Sequence, residues 1–202
     1  KTLATPIFVT TLGLSPTAVS MAMLVFRLYD AVTDPIMGWI SDNTRTRWGR
    51  RRPYLLLGAL LTGLALPLMW FVNPDWSGST QLAWLIGCGI ILYTCTTIFA
   101  VPYESLNFEL SPSYSERTSI TSYKAFFQKI AVMVIGWSWF ITQLPFFIDA
   151  ATGKPDTLVG ARALSIALGV AVIATGLLPA FFVRERFYKA ASAQPPHPEW
   201  RP

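Results

Sequence analysis

Five apolar stretches constrain the fold of this chain more than any other feature. A membrane-crossing helix needs roughly 20 mostly apolar residues, and such runs stand at about 17–40, 54–72, 82–106, 122–148 and 161–183. None shows the two-residue alternation of a barrel strand. A sixth apolar piece, LATPIFVTTLGL (3–14), reads as the end of an earlier helix. Charge is correspondingly scarce, at 13% of 202 residues. Soluble domains carry roughly 25%, and mean hydropathy is +0.44. The expected fold is all-α: a polytopic transmembrane bundle over 1–183, followed by a polar segment over 184–202. A chain that starts at Lys1 rather than Met, with no basic-then-apolar leader, reads as a piece of a longer one.

The connections fit that division. NPDWSGST (73–80), SPSYSERTS (111–119) and DAATGKPDT (149–157) are polar, turn-rich loops. Their charges set an orientation. The loop SDNTRTRWGRRRP (41–53) carries five arginines, and the final segment carries Arg184, Arg186, Lys189 and Arg201. Positive loops stay on the cytoplasmic side. The expected arrangement therefore starts outside and ends in the cytoplasm. The run GRRRP is then a positive-inside loop rather than a nucleic-acid contact. Cys88 and Cys95 share one apolar run, and the single histidine, His197, lies in the polar tail. That inventory builds neither a disulfide nor a zinc site.

The first full run holds charges where the bilayer makes them costly. Arg27, Asp30 and Asp34 recur at helical spacing, so they share one face. A charge at the bilayer centre costs at least about 2.5–3.5 kcal/mol. Three on one face imply a polar interior. Pro35 removes one helical hydrogen bond and frees a carbonyl nearby. Carboxylates with spare oxygens suit a hard cation or a proton. The plainer alternative is an Arg27–Asp30 pair that only locks helices, which leaves Asp34 without an evident partner. Gly38 continues the stripe and is expected to let a neighbouring helix approach.

The third run adds hydroxyls at Thr94, Thr96 and Thr97, then Pro102, Glu104 and Glu109. Further along come Lys124, Gln128 and Lys129, with Lys124 and Gln128 on one face. Lys124 can pair with Glu104 across helices, or it can snorkel to the headgroups. Most tryptophans sit at run ends, as in an interfacial belt. Trp137 and Trp139 lie deeper, packed toward lipid or stacked on a sugar ring.

Two long motifs carry a family likeness. DAVTDPIMGWISDNTRTRWGRRRPYLLLG (30–58) closely resembles helix II, the loop and helix III of the glycoside–pentoside–hexuronide:cation symporters, the melibiose permease family of the major facilitator superfamily. AVPYESLNFELSPSYSERTSITSYKAFFQK (100–129) is similar to the same family's helix IV, loop and helix V. The resemblance implies the N-terminal six-helix half of a twelve-helix transporter, with most of helix I missing. Its partners would be the C-terminal half, membrane lipid and a small substrate. Such folds bind substrate between halves and work by alternating access.

The resemblance also implies roles. The sodium or proton site falls on Asp30, Thr33, Asp34 and Thr97, with Asp30 and Asp34 as the Na⁺ ligands if sodium couples. Thr33 replaces the melibiose permeases' asparagine, which leaves the ion open. Arg27, Glu104, Lys124 and Gln128 would line the substrate cavity. The family's helix IV aspartate and tryptophan are replaced by Ala100 and Glu104, and its helix V arginine aligns with Ala125, so a melibiose-like substrate is not supported. Asp42, Arg50, Glu116 and Arg117 would form a cytoplasmic gate. The expected function is Na⁺- or H⁺-coupled symport of a sugar or glycoside across the inner membrane, with no cofactor, no nucleic acid and no enzymatic chemistry. Two alternatives stand: a cation-dependent lysolipid carrier, whose relatives share the VPY and ER patterns and a basic residue at Lys124, and a non-transporting receptor or scaffold of the same fold.

Overall fold

The computed structural model describes residues 4–109, 114–147 and 156–182, apart from the side chains at 4, 107–109, 114, 117, 134 and 145. Every regular element among them is helical. A short helical piece, α1 (Ala4–Pro6), runs into a π-turn over Ile7–Thr11 that buries Ile7 and Phe8 completely. Gly13, at φ 73°, supplies the left-handed turn that ends this piece.

The helix α2 spans Pro16–Asn43. Ser15 caps it by accepting from the Ala18 amide at 3.2 Å, and Pro16 occupies the first turn, where a missing N–H costs nothing. The helix α3 (Arg52–Leu68) follows the arginine loop, α4 (Gly78–Glu109) is the longest, and α7 (Thr157–Phe182) is the most apolar. Gly78–Leu106, Thr118–Thr142 and Thr157–Phe182 are long and apolar enough to cross a membrane. The helix α3 is shorter at 17 residues, and α2 carries the charges Arg27, Asp30 and Asp34.

The run expected at 122–148 differs. The helix α5 starts at Tyr114 and ends at Gly136; α6 (Ser138–Thr142) and a 3₁₀ turn over Pro145–Phe147 follow. Serine, threonine and Glu116 make a soluble first turn, with the carboxylate at the favourable end of the helix dipole. Glycine at 136 is a weak helix former, and the helix breaks beside it at Trp137. Trp137 is exposed, whereas Trp139 is partly buried and packs against the core. The 148–155 segment and the tail with Arg184, Arg186, Lys189 and His197 lie outside the described residues.

Three helix pairs make the bundle: α2 on α4, α3 on α4, and α3 on α7. Without water to drive burial, such pairs depend on small residues that let backbones meet. Gly58 abuts the Phe99 backbone, where a Cβ would sit 2.6 Å from its nitrogen. Gly63 and Gly169 face each other, and a Cβ on Gly169 would lie 2.4 Å from the Gly63 carbonyl oxygen. The α2–α4 close approach comes at Gly89, where an added Cβ would strike the Phe26 ring at 2.1 Å. Gly38 does not play the expected part: a Cβ there would meet Val101 at 3.7 Å, an ordinary contact.

Two arginines bolt α3 to α7 at opposite ends. Arg52, opening α3, donates from Nε and Nη2 to the Ala180 and Phe181 carbonyls, each at 2.8 Å. Arg162, near the start of α7, donates to the Trp70 and Val72 carbonyls, each at 2.9 Å. Each guanidinium thus satisfies carbonyls at or just beyond the end of its neighbour, the negative end of the helix dipole.

Candidate functional site: a polar seam between α2 and α4

The charged face of α2 lies against α4. Contacts rise together along both chains, from Phe26 with Tyr93, through Tyr29 with Thr94, to Asp34 with Thr97, so the two helices run parallel. The helix α3 crosses back between them in sequence. Parallel packing in this register carries the α2 carboxylates past the hydroxyls of α4.

The central contact is Asp34. Its Oδ1 accepts a hydrogen bond from the Thr97 hydroxyl at 3.1 Å, and Thr97 is buried. Pro35 cannot donate to the Ala31 carbonyl one turn back. The seam therefore brings together a carboxylate, a hydroxyl and a carbonyl that the helix itself does not satisfy. Thr33 donates its hydroxyl to the Tyr29 carbonyl at 3.0 Å, which leaves its oxygen lone pairs available. These are hard oxygen donors, suited to Na⁺ or a proton.

Asp30 stands one turn from Asp34 and is mostly shielded. Arg27 approaches it at 4.0 Å, with the Arg27 side chain 61% exposed. A contact that long and that open is a weak tether, worth less than about 1 kcal/mol. Among the described residues, no three His, Cys, Asp or Glu side chains gather as a metal cluster. Asp30 and Asp34 are two carboxylates on one face, supplemented by hydroxyls.

Further along α4, Glu104 is ion-paired with Lys124 of α5, and the Lys124 ammonium lies 5.4 Å from the Tyr103 ring centroid. This is the interhelical pair rather than the snorkel. Thr97 to Glu104 is seven residues, or about 10 Å along the helix. The α2–α4 polar seam and the Glu104–Lys124 pair are therefore neighbours on α4 without being in contact. Gln128, one turn past Lys124, is exposed.

At the arginine end, Asp42 does meet the loop, but its short bond is to Arg51. Arg51 Nη2 donates to Asp42 Oδ1 at 2.8 Å, while Arg50 Nη2 stands at 3.8 Å. Arg51 is buried and Arg50 is only partly so. Glu116 is exposed in the first turn of α5, and the Arg117 side chain lies outside the described residues.

Sequence reasoning did not single out Tyr29, Arg51, Arg52 or Arg162. The Tyr29 hydroxyl bonds the Thr94 hydroxyl at 2.8 Å and adds a second polar rung to the seam. Arg162 had a usable signal: it is a lone cation at the second position of an apolar run, where a charge demands a partner. Nothing in the run RRR distinguishes Arg51 from its neighbours.

Comparison with known proteins places the chain. The sequence profile of the MFS/sugar transport protein family matches residues 2–201. The chain is 32% identical over 150 residues to the uncharacterized symporter sll1374 of Synechocystis, covering 71% of this chain and 26% of that protein. It is 31% identical over 175 residues to YagG of Escherichia coli, whose provisional name is glycoside/cation symporter, covering 87% of this chain and 36% of YagG. It is also 38% identical over 112 residues to the sodium-dependent lysophosphatidylcholine symporter 1 of Gallus gallus, covering 55% of this chain and 21% of that protein. The chain thus spans between a fifth and just over a third of the relatives it matches. A profile that runs almost end to end, over a multi-pass helical bundle with three helices long and apolar enough to cross a membrane, makes this chain a member of the MFS/sugar transport protein family, in keeping with its melibiose permease-like motifs.

Proposed function

We propose that the full-length protein is a secondary active transporter that couples Na⁺ or H⁺ to uptake of a sugar or glycoside across the inner membrane by alternating access. The observation that carries this reading is the Asp34–Thr97 bond, which ties an exposed carboxylate on the α4-facing side of α2 to a buried hydroxyl, beside a proline-released carbonyl. A cation held by Asp34, Asp30 and the Thr97 and Thr33 oxygens would neutralise charge that the bilayer disfavours. Ion binding then favours the substrate-competent state, and substrate must strengthen ion binding by the same factor.

The remaining roles follow from position. Arg27, Glu104, Lys124 and Gln128 contribute polar groups toward the substrate. Asp42 with Arg51 and Arg50 forms a gate at the arginine end, to which Glu116 and Arg117 add charge. The arginine end faces the cytoplasm, because it carries the positive loop. The C-terminal half of the transporter would complete the substrate site.

A lysolipid substrate is the second reading, favoured by one specific feature. Phe99, Tyr103 and Leu106 of α4, Ile120 of α5, and Val172 and Leu178 of α7 line a largely apolar cleft of about 720 Å³. Lys124 stands over Tyr103 at its edge, a cation beside an apolar slot.

Proteoliposomes containing the full-length chain test both readings. Labelled glycosides, pentosides, uronides and lysophosphatidylcholine are offered with and without Na⁺ and proton gradients, with Asp34→Asn alongside. Gradient-driven sugar accumulation that Asp34→Asn abolishes supports the first reading. Uptake of lysolipid alone supports the second. Ligand binding without flux of any substrate overturns both in favour of a receptor or scaffold.

A further inference from the structure

The helix ends beside the arginine loop form a second cavity that the transport site does not use. Arg47, Trp48, Arg52, Leu56, Ala180 and Phe181 line a pocket of about 310 Å³ between that loop, the start of α3 and the end of α7. We propose that this pocket binds the headgroup of an anionic phospholipid, with its acyl chains lying along Leu56 and Phe181. The choice of leaflet rests on the orientation proposed above; the binding chemistry does not.

Four observations converge. First, one wall carries two guanidiniums, and Arg52 is held in place by its bonds to the Ala180 and Phe181 carbonyls. A donor already fixed loses little freedom when a phosphate arrives. Second, the neighbouring loop charges divide. Arg51 and Arg50 turn to Asp42, whereas Arg47 is exposed and has no carboxylate in ion-pair range among the described residues. Among the described residues, Arg47 is thus a cation without a counter-charge, at the rim of a pocket. Third, the depth fits. Arg52 opens α3 just before the apolar run from Tyr54, and Phe181 stands at the end of the α7 apolar run. Both helices leave the apolar zone at this level, where headgroups sit. Fourth, the pocket is not purely polar. Trp48 is 67% exposed and Phe181 59% exposed, and Leu56 and Ala180 complete an apolar side. A free phosphate would leave that side unused; a lipid would use both. Basic pockets between helices on the cytoplasmic side are the general setting for such headgroups.

A lipid held there would tie the 44–51 loop to the end of α7. That loop leads into Arg51, so occupancy would steady the Asp42–Arg51 bond.

Native mass spectrometry of the full-length protein tests this without transport. The protein is released from vesicles of phosphatidylcholine with a minor share of phosphatidylglycerol, and retained lipids are counted. The variants are Arg47→Gln, Trp48→Ala, and Arg45→Gln as a loop arginine outside the pocket. Wild type is expected to retain phosphatidylglycerol in preference to phosphatidylcholine. Arg47→Gln should lower that retention about fivefold, the worth of one basic residue at a lipid surface. Trp48→Ala should lower it less, and Arg45→Gln should leave it unchanged. Asp34→Asn should also leave it unchanged, which separates this proposal from the transport reading. Equal losses in Arg47→Gln and Arg45→Gln would reduce the effect to general basic attraction and overturn the site. So would retention indifferent to headgroup, or displacement of the lipid by millimolar inorganic phosphate.

Discussion

The α3–α7 pair and the α2–α4 pair belong to one bundle yet are joined by different chemistry. The α3–α7 pair is antiparallel, meets at Gly63 and Gly169, and is bolted at both ends by Arg52 and Arg162. The bonds that Arg52 and Arg162 make across it run from a guanidinium to backbone carbonyls, which hold the helices together. The α2–α4 pair is parallel and meets through side-chain oxygens: the Tyr29 hydroxyl with Thr94, and the Asp34 carboxylate with Thr97. Those oxygens can exchange a partner for an ion. A helix pair satisfied by its own backbone acts as scaffold, and a pair satisfied by exchangeable side chains can hold chemistry.

That contrast can be broken, starting with the largest effect. Asp34→Asn keeps the size of the side chain but removes the charge that the proposed function assigns to the ion. Gradient-driven accumulation should fall about a hundredfold, near the upper range of ordinary coupling energies, with thermal stability unchanged. Lost stability instead would move Asp34 to the scaffold.

Gly169→Ala attacks the other pair. Its Cβ would lie 2.4 Å from the Gly63 carbonyl oxygen, a backbone atom with no rotamer to yield. Thermal unfolding in detergent should show a loss of about 3 kcal/mol, the upper range for overpacking. The ion affinity of whatever protein remains folded should be unaltered.

Arg162→Ala removes two charged hydrogen bonds and leaves the Trp70 and Val72 carbonyls to find other donors. A loss of about 2 kcal/mol is expected. If Arg162→Ala abolished ion binding at unchanged stability, the division between the pairs would fail. The smallest change is Thr97→Val, which deletes one donor to Asp34 and leaves the carboxylate. Ion affinity, read by isothermal titration, should weaken about fivefold, in line with roughly 1 kcal/mol for one hydrogen bond.

The helices were legible because apolar length is a one-dimensional property, and the charges of α2 stood out against it. Asp34 beside Thr97 was legible through the family motifs, not through spacing, since 63 residues separate them. The Glu104–Lys124 pair was one of two readings, and packing decided it. Gly38 was misplaced as the close approach because helical spacing identifies a face without identifying its neighbour. The actual contact lies at Gly89, where the Phe26 ring needs the room.

The sequence by itself determined the all-helical fold and the charged stripe Arg27–Asp30–Asp34, because hydropathy and helical period are local. Only the tertiary structure decided which arginine serves which partner. Arg51, Arg52 and Arg50 are adjacent and chemically alike. Arg51 makes the short bond to Asp42, Arg52 reaches the end of α7, and Arg50 stands beside Asp42 at 3.8 Å. Their fates follow from the direction each side chain takes as the loop turns into α3, and from which carbonyls α7 brings within 3 Å.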